Sequence, residues 1–181
     1  YDVKAGRWPE NYKECVLVLT SQGDISDFLQ YTLGLRDGKE LDDMVQKFMA
    51  EEAVETPENE GPYTYDEILG KKFKLVNSTD YYEYDEEYKV WKDKSDNSSY
   101  MKKLVKNGED LTIVGIVQPV EGATASMLTA GICYTPELTI HVIEKAASSE
   151  IVKQQLADEK INVFTGEEFG KEDNENSKFD M

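Results

Sequence analysis

The chain has 181 residues, enough for one domain or for a core domain carrying a sizeable insertion. Hydrophobic residues make up 39% and aromatics 10%, which suits a packed core and exceeds what a disordered chain carries. The formal net charge of −17 argues strongly against nucleic acid, since a duplex would repel this surface at long range, and disfavours an anionic membrane for the same reason.

The opening stretch, YDVKAGRWPENYKECVLVL, starts at Tyr1 without an initiator Met, so a preceding segment is expected. Residues 16–19 form an apolar run without alternation, the pattern of a strand buried on both faces. Ser26 is placed to cap a helix over 28–33 that Gly34 ends. Residues 39–52 then carry Leu41, Met44, Val45, Phe48 and Met49 at helical spacing, a one-sided stripe read as core packing. A loop containing Pro, Gly and Glu follows at 55–62. Thr64 and Glu67 make a capping box for a short helix stopped by Gly70.

Strands are predicted at 73–76 and in a hairpin of 81–85 with 88–92, where Glu86-Glu87 is a poor tight-turn pair and a longer loop is an alternative. Ser98 or Ser99 starts a helix through Val105, closed by Gly108. A second buried strand occupies 111–117 and ends at Pro119, and a third occupies 128–134. Thr135-Pro136 begins the next helix, an N-cap followed by Pro at the first helical position. Another helix holds Ile151, Val152, Gln155 and Leu156, and a short strand is predicted over 161–164. Helices and strands mix without a regular βαβ repeat, so the class is α+β. The tail over 166–181 is acidic and reads as a solvated, mobile terminus.

The longest apolar runs, 15–19 and 113–117, fall far short of the ~20 residues of a membrane-spanning helix, so the stretch itself is expected to be soluble. No signal-peptide pattern is present. Cys15 and Cys133 are the two cysteines, each inside an apolar strand pattern and read as a buried, inert thiol. A disulfide between them would need neighbouring strands and an oxidising compartment. With one histidine, they match no metal spacing.

Catalytic patterns are absent from the sequence. Gly122-Ala123-Thr124-Ala125-Ser126 is not a nucleophile elbow, and no Gly-rich phosphate loop follows a strand, so the chain carries no ATPase of its own. His141 reads as a satisfied or surface histidine. The 37 acidic residues will form chance pairs, and the sequence singles none out for glycoside chemistry. Residues 93–97 lack the central glycine of a calcium loop, and Leu104 stands where its closing glutamate belongs. The sequons Asn77-Ser78-Thr79 and Asn97-Ser98-Ser99 carry little weight. One candidate interaction surface remains: Tyr82, Tyr84 and Trp91 on one hairpin face with Lys89 among them, either a platform for sugars or peptide side chains, or rings covering the sheet's inner face.

Ala5-Gly6-Arg7-Trp8-Pro9, then Glu14 and the strand from Cys15, resembles the opening of the ectodomain of macrolide-exporter-like (MacB-like) ABC transporter permeases, particularly the Gram-positive branch. Further matches follow in order: Tyr31-Thr32-Leu33-Gly34-Leu35, the run from Ile68 to Leu75, that from Leu111 to Val117, Gly131-Ile132-Cys133-Tyr134-Thr135-Pro136, and Asn162-Val163-Phe164-Thr165-Gly166. No single motif is specific; the ordered series carries the resemblance.

The resemblance implies a core α/β subdomain over 1–36 with 109–165, interrupted by an inserted subdomain over 37–108. Gly6 and Arg7 would mark the turn into the first core strand. Arg7 and Glu14 would be structural, an ion pair or caps at the strand's entrance. A Cys15–Cys133 disulfide would be peculiar to this protein.

The implied role is a non-catalytic extracellular permease domain that couples cytoplasmic ATP hydrolysis to export or release of a peptide, toxin or lipoprotein at the outer face. A second permease subunit and a cytoplasmic ATP-binding subunit would be its partners, and the acidic surface would bias encounters toward cationic peptides. No catalytic residue, metal ligand or cofactor is implied, and the isolated domain is expected to be a monomer. The rival readings are a free-standing secreted or cell-surface module binding peptides or glycans through the aromatic face, and a carboxylate-dependent hydrolase.

Overall fold

The computed structural model describes residues 1–54, 62–123 and 125–170, and over them the protein is α+β. The elements begin with β1 (Asp2–Gly6), β2 (Glu14–Val18), α1 (Asp27–Thr32), α2 (Gly38–Met49), α3 (Tyr65–Ile68) and β3 (Lys72–Leu75). They continue with β4 (Tyr82–Asp85), β5 (Val90–Asp93), α4 (Ser98–Asn107), β6 (Glu109–Gln118), β7 (Gly131–Tyr134), α5 (Pro136–Ala147) and α6 (Glu150–Ala157). The chain's contacts divide the described residues into two units, 1–73 with 110–138 and 74–109 with 139–170.

The first unit is built on a mixed sheet of order β1-β6-β2-β7, with β3 also paired to β6. β2 lies parallel to β6 and antiparallel to β7, so its apolar run is enclosed by strands on both edges. Its two faces bury different residues. Cys15, Leu17 and Leu19 pack with Leu33, Ile68, Ile113 and Ile116, whereas Val16 and Val18 pack with Val117, Leu128 and Cys133. A strand without alternation is what a sheet covered on both faces selects. Local signals set the flanking helices: Ser26 accepts from Leu29 N at the start of α1, and Thr64 and Glu67 form the capping box of α3.

The second unit carries the antiparallel β4–β5 hairpin with α4, α6 and the 139–147 part of α5. Its buried side chains include Ile151, Val163 and Asn77, whose Nδ2 donates to Val142 O at 3.2 Å. The hairpin turn spans four residues, 86–89, with Lys89 at φ +55, so the poor Glu86-Glu87 pair is accommodated in the longer loop.

Several expectations are corrected. The stripe on α2 is not core: no residue of α2 is buried, and Val45, Phe48 and Met49 are 50%, 76% and 80% exposed. The helix is anchored near its N-terminal end instead, where Glu40 accepts from Arg36 Nη2 at 3.1 Å. Residues 161–164 make a single bridge, Ile161 to Glu168, instead of a strand. β1 was not predicted: Val3 and Ala5 alternate with Asp2 and Lys4, but the stretch is short and four of its five residues stay exposed, and it is held as a strand by its pairing with β6.

The unit boundaries also fall elsewhere than at 36/37 and 108/109. Ile68, Leu69 and Phe73 pack on the Leu17 core and bring 37–73 to the first unit, while Val163 O accepts from Trp91 N at 2.8 Å within the second. Most of the predicted 55–62 loop, at 55–61, and of the acidic tail, at 171–181, lies outside the described residues. No helix among the described residues is long and apolar enough to cross a membrane.

Candidate functional site

The entrance to β2 is the most tightly specified place in the first unit. Gly6 pairs with Gly115 across β1 and β6, and the two backbones touch. A Cβ on Gly6 would fall well under 3.0 Å from Val114 O, and one on Gly115 equally close to Arg7 O. Gly6 also sits at φ +68, so both its conformation and its surroundings require glycine. This crossing turns the chain and delivers Arg7, whose own N–H donates to Val114 O at 3.0 Å.

Arg7 then grips Glu14 with both ends of its fork. Nη1 donates to Oε2 and Nη2 to Oε1, each at 2.7 Å. Glu10 N donates to the same carboxylate at 2.8 Å. Together, and with the Arg7 bond foremost, these hold the Glu14 carboxyl down to about 2. The clasp closes the 7–14 segment at the mouth of the strand. Glu14 is ionised throughout the neutral range, so it offers no proton for acid–base chemistry. Tyr1 adds a second tie, accepting from Leu128 N at 2.9 Å, bonding the Ser126 hydroxyl and meeting Trp8 edge-on at 6.4 Å between ring centroids. Gly6, Arg7 and Glu14 are thus brought together at the mouth of β2.

In the second unit the register sets Tyr84 directly across from Trp91, with ring centroids 5.4 Å apart, and Tyr82 across from Asp93 on the same face. The rings divide their contacts. Tyr82 leans on Phe164 at 5.0 Å, and the Trp91 indole N–H donates to Gln154 Oε1 of α6 at 2.7 Å. The face is therefore largely occupied by the chain's own residues, although Tyr84 and Trp91 still line an open cavity of about 600 Å³ with Lys153. Lys89 stands apart from it, exposed in the turn.

Cys15 and Cys133 do lie on paired strands, but Cys133 is opposite Val16 and shares its face, while Cys15 points to the other. Both thiols are free, and the register gives them no route to a disulfide. Burial pushes the Cys15 thiol up to about 12. His141 Nε2 meets Glu109 Oε1 at 3.0 Å, and Lys145 Nζ reaches the same oxygen at 3.1 Å, so the histidine is satisfied within the second unit. Among the described residues no three or more His, Cys, Asp or Glu side chains are arranged to hold a metal ion.

Reading the sequence missed a buried polar residue, Gln30 of α1, 5% exposed. Its signal was a glutamine at helical spacing from Leu33, on the side that a core-facing helix normally keeps apolar. Compared with models of known protein families, with curated proteins and with solved structures, the chain finds no match.

Proposed function

We propose that this chain is a non-catalytic extracellular domain of a macrolide-exporter-like ABC permease, at the outer face of a bacterial membrane. In this reading it couples ATP hydrolysis by a cytoplasmic subunit to export or release of its cargo, alongside a second permease subunit. The ordered motif series from Gly6 to Gly166 supports the assignment, and the observation that carries it is the clasped entrance to β2. A coupling domain must move as a rigid body when a helix joined to its N-terminus moves. The Gly6–Gly115 crossing and the Arg7–Glu14 bidentate pair give such a joint, because the first fixes β1 on β6 and the second closes the 7–14 segment at the start of β2.

The parent reading frame tests the proposal. One apolar segment of ~20 residues ahead of Tyr1 and three beyond Met181, beside a frame with a Walker pattern, is the expected result. A cleavable signal in front and a stop soon after Met181 would overturn it. In the intact transporter, Arg7→Ala is expected to lower export while ATP hydrolysis persists. Equal loss of both activities would argue against a coupling role for the clasp.

A further inference from the structure

The stripe of α2 is apolar surface that the fold leaves unused. Leu41 and Met44 are half-buried, while Val45, Phe48 and Met49 stand exposed on the same side of the helix. The helix does not depend on the stripe for its start. Asp37 caps the first turn by accepting from Lys39 N at 3.1 Å, and Arg36 ties down Glu40. Exposed apolar residues grouped on one side of a helix and rimmed by charge mark a docking surface.

The rim is mainly acidic. At about 100° per residue, Glu40 borders the stripe on one side and Asp42 on the other, with Lys47 on the Glu40 side. The helix and its two ends, residues 37–52, carry six acidic side chains against two basic ones, in a chain of net charge −17. That balance decides between occupants. A second copy would set the same negative rim against itself. A helix about 18 Å long also offers one narrow face, short of the ~800 Å² per partner that a stable dimer buries. An anionic lipid surface meets the same repulsion. A basic amphipathic helix does not: its apolar side covers Val45, Phe48 and Met49, and its flanking Lys and Arg side chains face Glu40 and Asp42.

We infer that the exposed face of α2 docks a basic amphipathic helix of a partner protein, with Phe48 and Met49 as apolar anchors and Glu40 and Asp42 as the charges that orient it. The contact is small, so charge steering and the tether that a larger partner provides supply much of its strength. The inference rests on α2 alone and stands whether or not the domain belongs to a permease.

The experiment is an NMR titration of the full 181-residue chain, followed at isotope-labelled methionine methyls, with three blocked peptides. The first is the amphipathic helix acetyl-LKKLLKLLKKLLKL-amide. The second carries Glu in place of every Lys, and the third scrambles the first so that no apolar side remains. Saturable shifts at Met44 and Met49 are expected with the first peptide, while Met101 on α4 and the exposed Met127 stay unmoved. Phe48→Ser removes an anchor from a helix that has no buried residue, and is expected to weaken binding about tenfold; Asp42→Lys is expected to weaken it several-fold. Equal saturation by the Glu peptide or by the scrambled one would overturn the inference, as would undiminished binding by Phe48→Ser. Self-association of the chain alone that Phe48→Ser abolishes would assign the face to a second copy. Binding to phosphatidylcholine vesicles that Phe48→Ser abolishes would assign it to a lipid surface. Either result overturns the inference, and so does no response to any peptide.

Discussion

Replacing Gly115 by alanine isolates the backbone crossing at the mouth of β2. The added Cβ would lie well under 3.0 Å from Arg7 O, a backbone atom with no rotamer to retreat into. Gly115 has no positive φ, so the whole cost is steric. Overpacking that forces backbone apart costs roughly 1–3 kcal/mol and occasionally more, and a contact with main chain on both sides belongs at the upper end, about 3 kcal/mol. With a urea m-value of ~1.5 kcal/mol/M for a unit of this size, the midpoint should fall by about 2 M.

Trp8 lies in the first unit and Trp91 in the second, and the chain has two tryptophans. Fluorescence in a Trp91→Phe background therefore follows the first unit alone. Gly38 and Gly34 serve as controls. Gly38 meets nothing within 4 Å and has no positive φ, so Gly38→Ala should be neutral or slightly stabilising. Gly34 has open space but φ +61, so its alanine should cost about 1–2 kcal/mol from conformation alone. A Gly115→Ala midpoint within about 0.5 M of the parent, where the m-value above puts less than ~1 kcal/mol, would refute the close crossing of β1 on β6.

Three further outcomes follow from the same geometry. The Glu14 carboxyl is depressed from 4.5 to about 2, so its contribution to stability is present above ~4.5 and lost as pH falls toward 2; the urea midpoint of Glu14→Gln should lie below the parent's at pH 6 and converge with it near pH 2, and a constant gap would contradict the clasp. Cys15 should resist iodoacetamide in the folded chain, and air oxidation should give no Cys15–Cys133 peptide on non-reducing mass spectrometry. Phe48→Ser on α2 should change stability by less than ~0.5 kcal/mol while Leu17→Ala costs about 2–5 kcal/mol, measured by thermal unfolding.

Local chemistry was legible where one or two neighbours decide it. The Ser26 cap, the Thr64–Glu67 box and the Thr135-Pro136 helix start all stand where the residues indicated, because a cap satisfies N–H groups two or three positions away. The apolar runs of β2 and β6 were legible for another reason: only enclosure on both faces tolerates them. Periodicity misled at α2, since an amphipathic pattern records that a helix has an apolar side without saying what covers it. The partners of the hairpin rings were invisible in the sequence, because Phe164 and Gln154 reach Tyr82 and Trp91 only in the folded second unit.

The sequence by itself determined the α+β class, the buried strands, most helix starts and the strongly acidic surface, all of which depend on residue type and short spacing. Tertiary structure alone decided that DVKAG is a strand, that Cys15 and Cys133 face apart, that the hairpin rings turn onto Phe164 and Gln154, and where two units divide. The physical reason is that all four rest on contacts between residues far apart in the chain; in the sheet, moreover, a shift of one residue in register exchanges every side chain between the two faces.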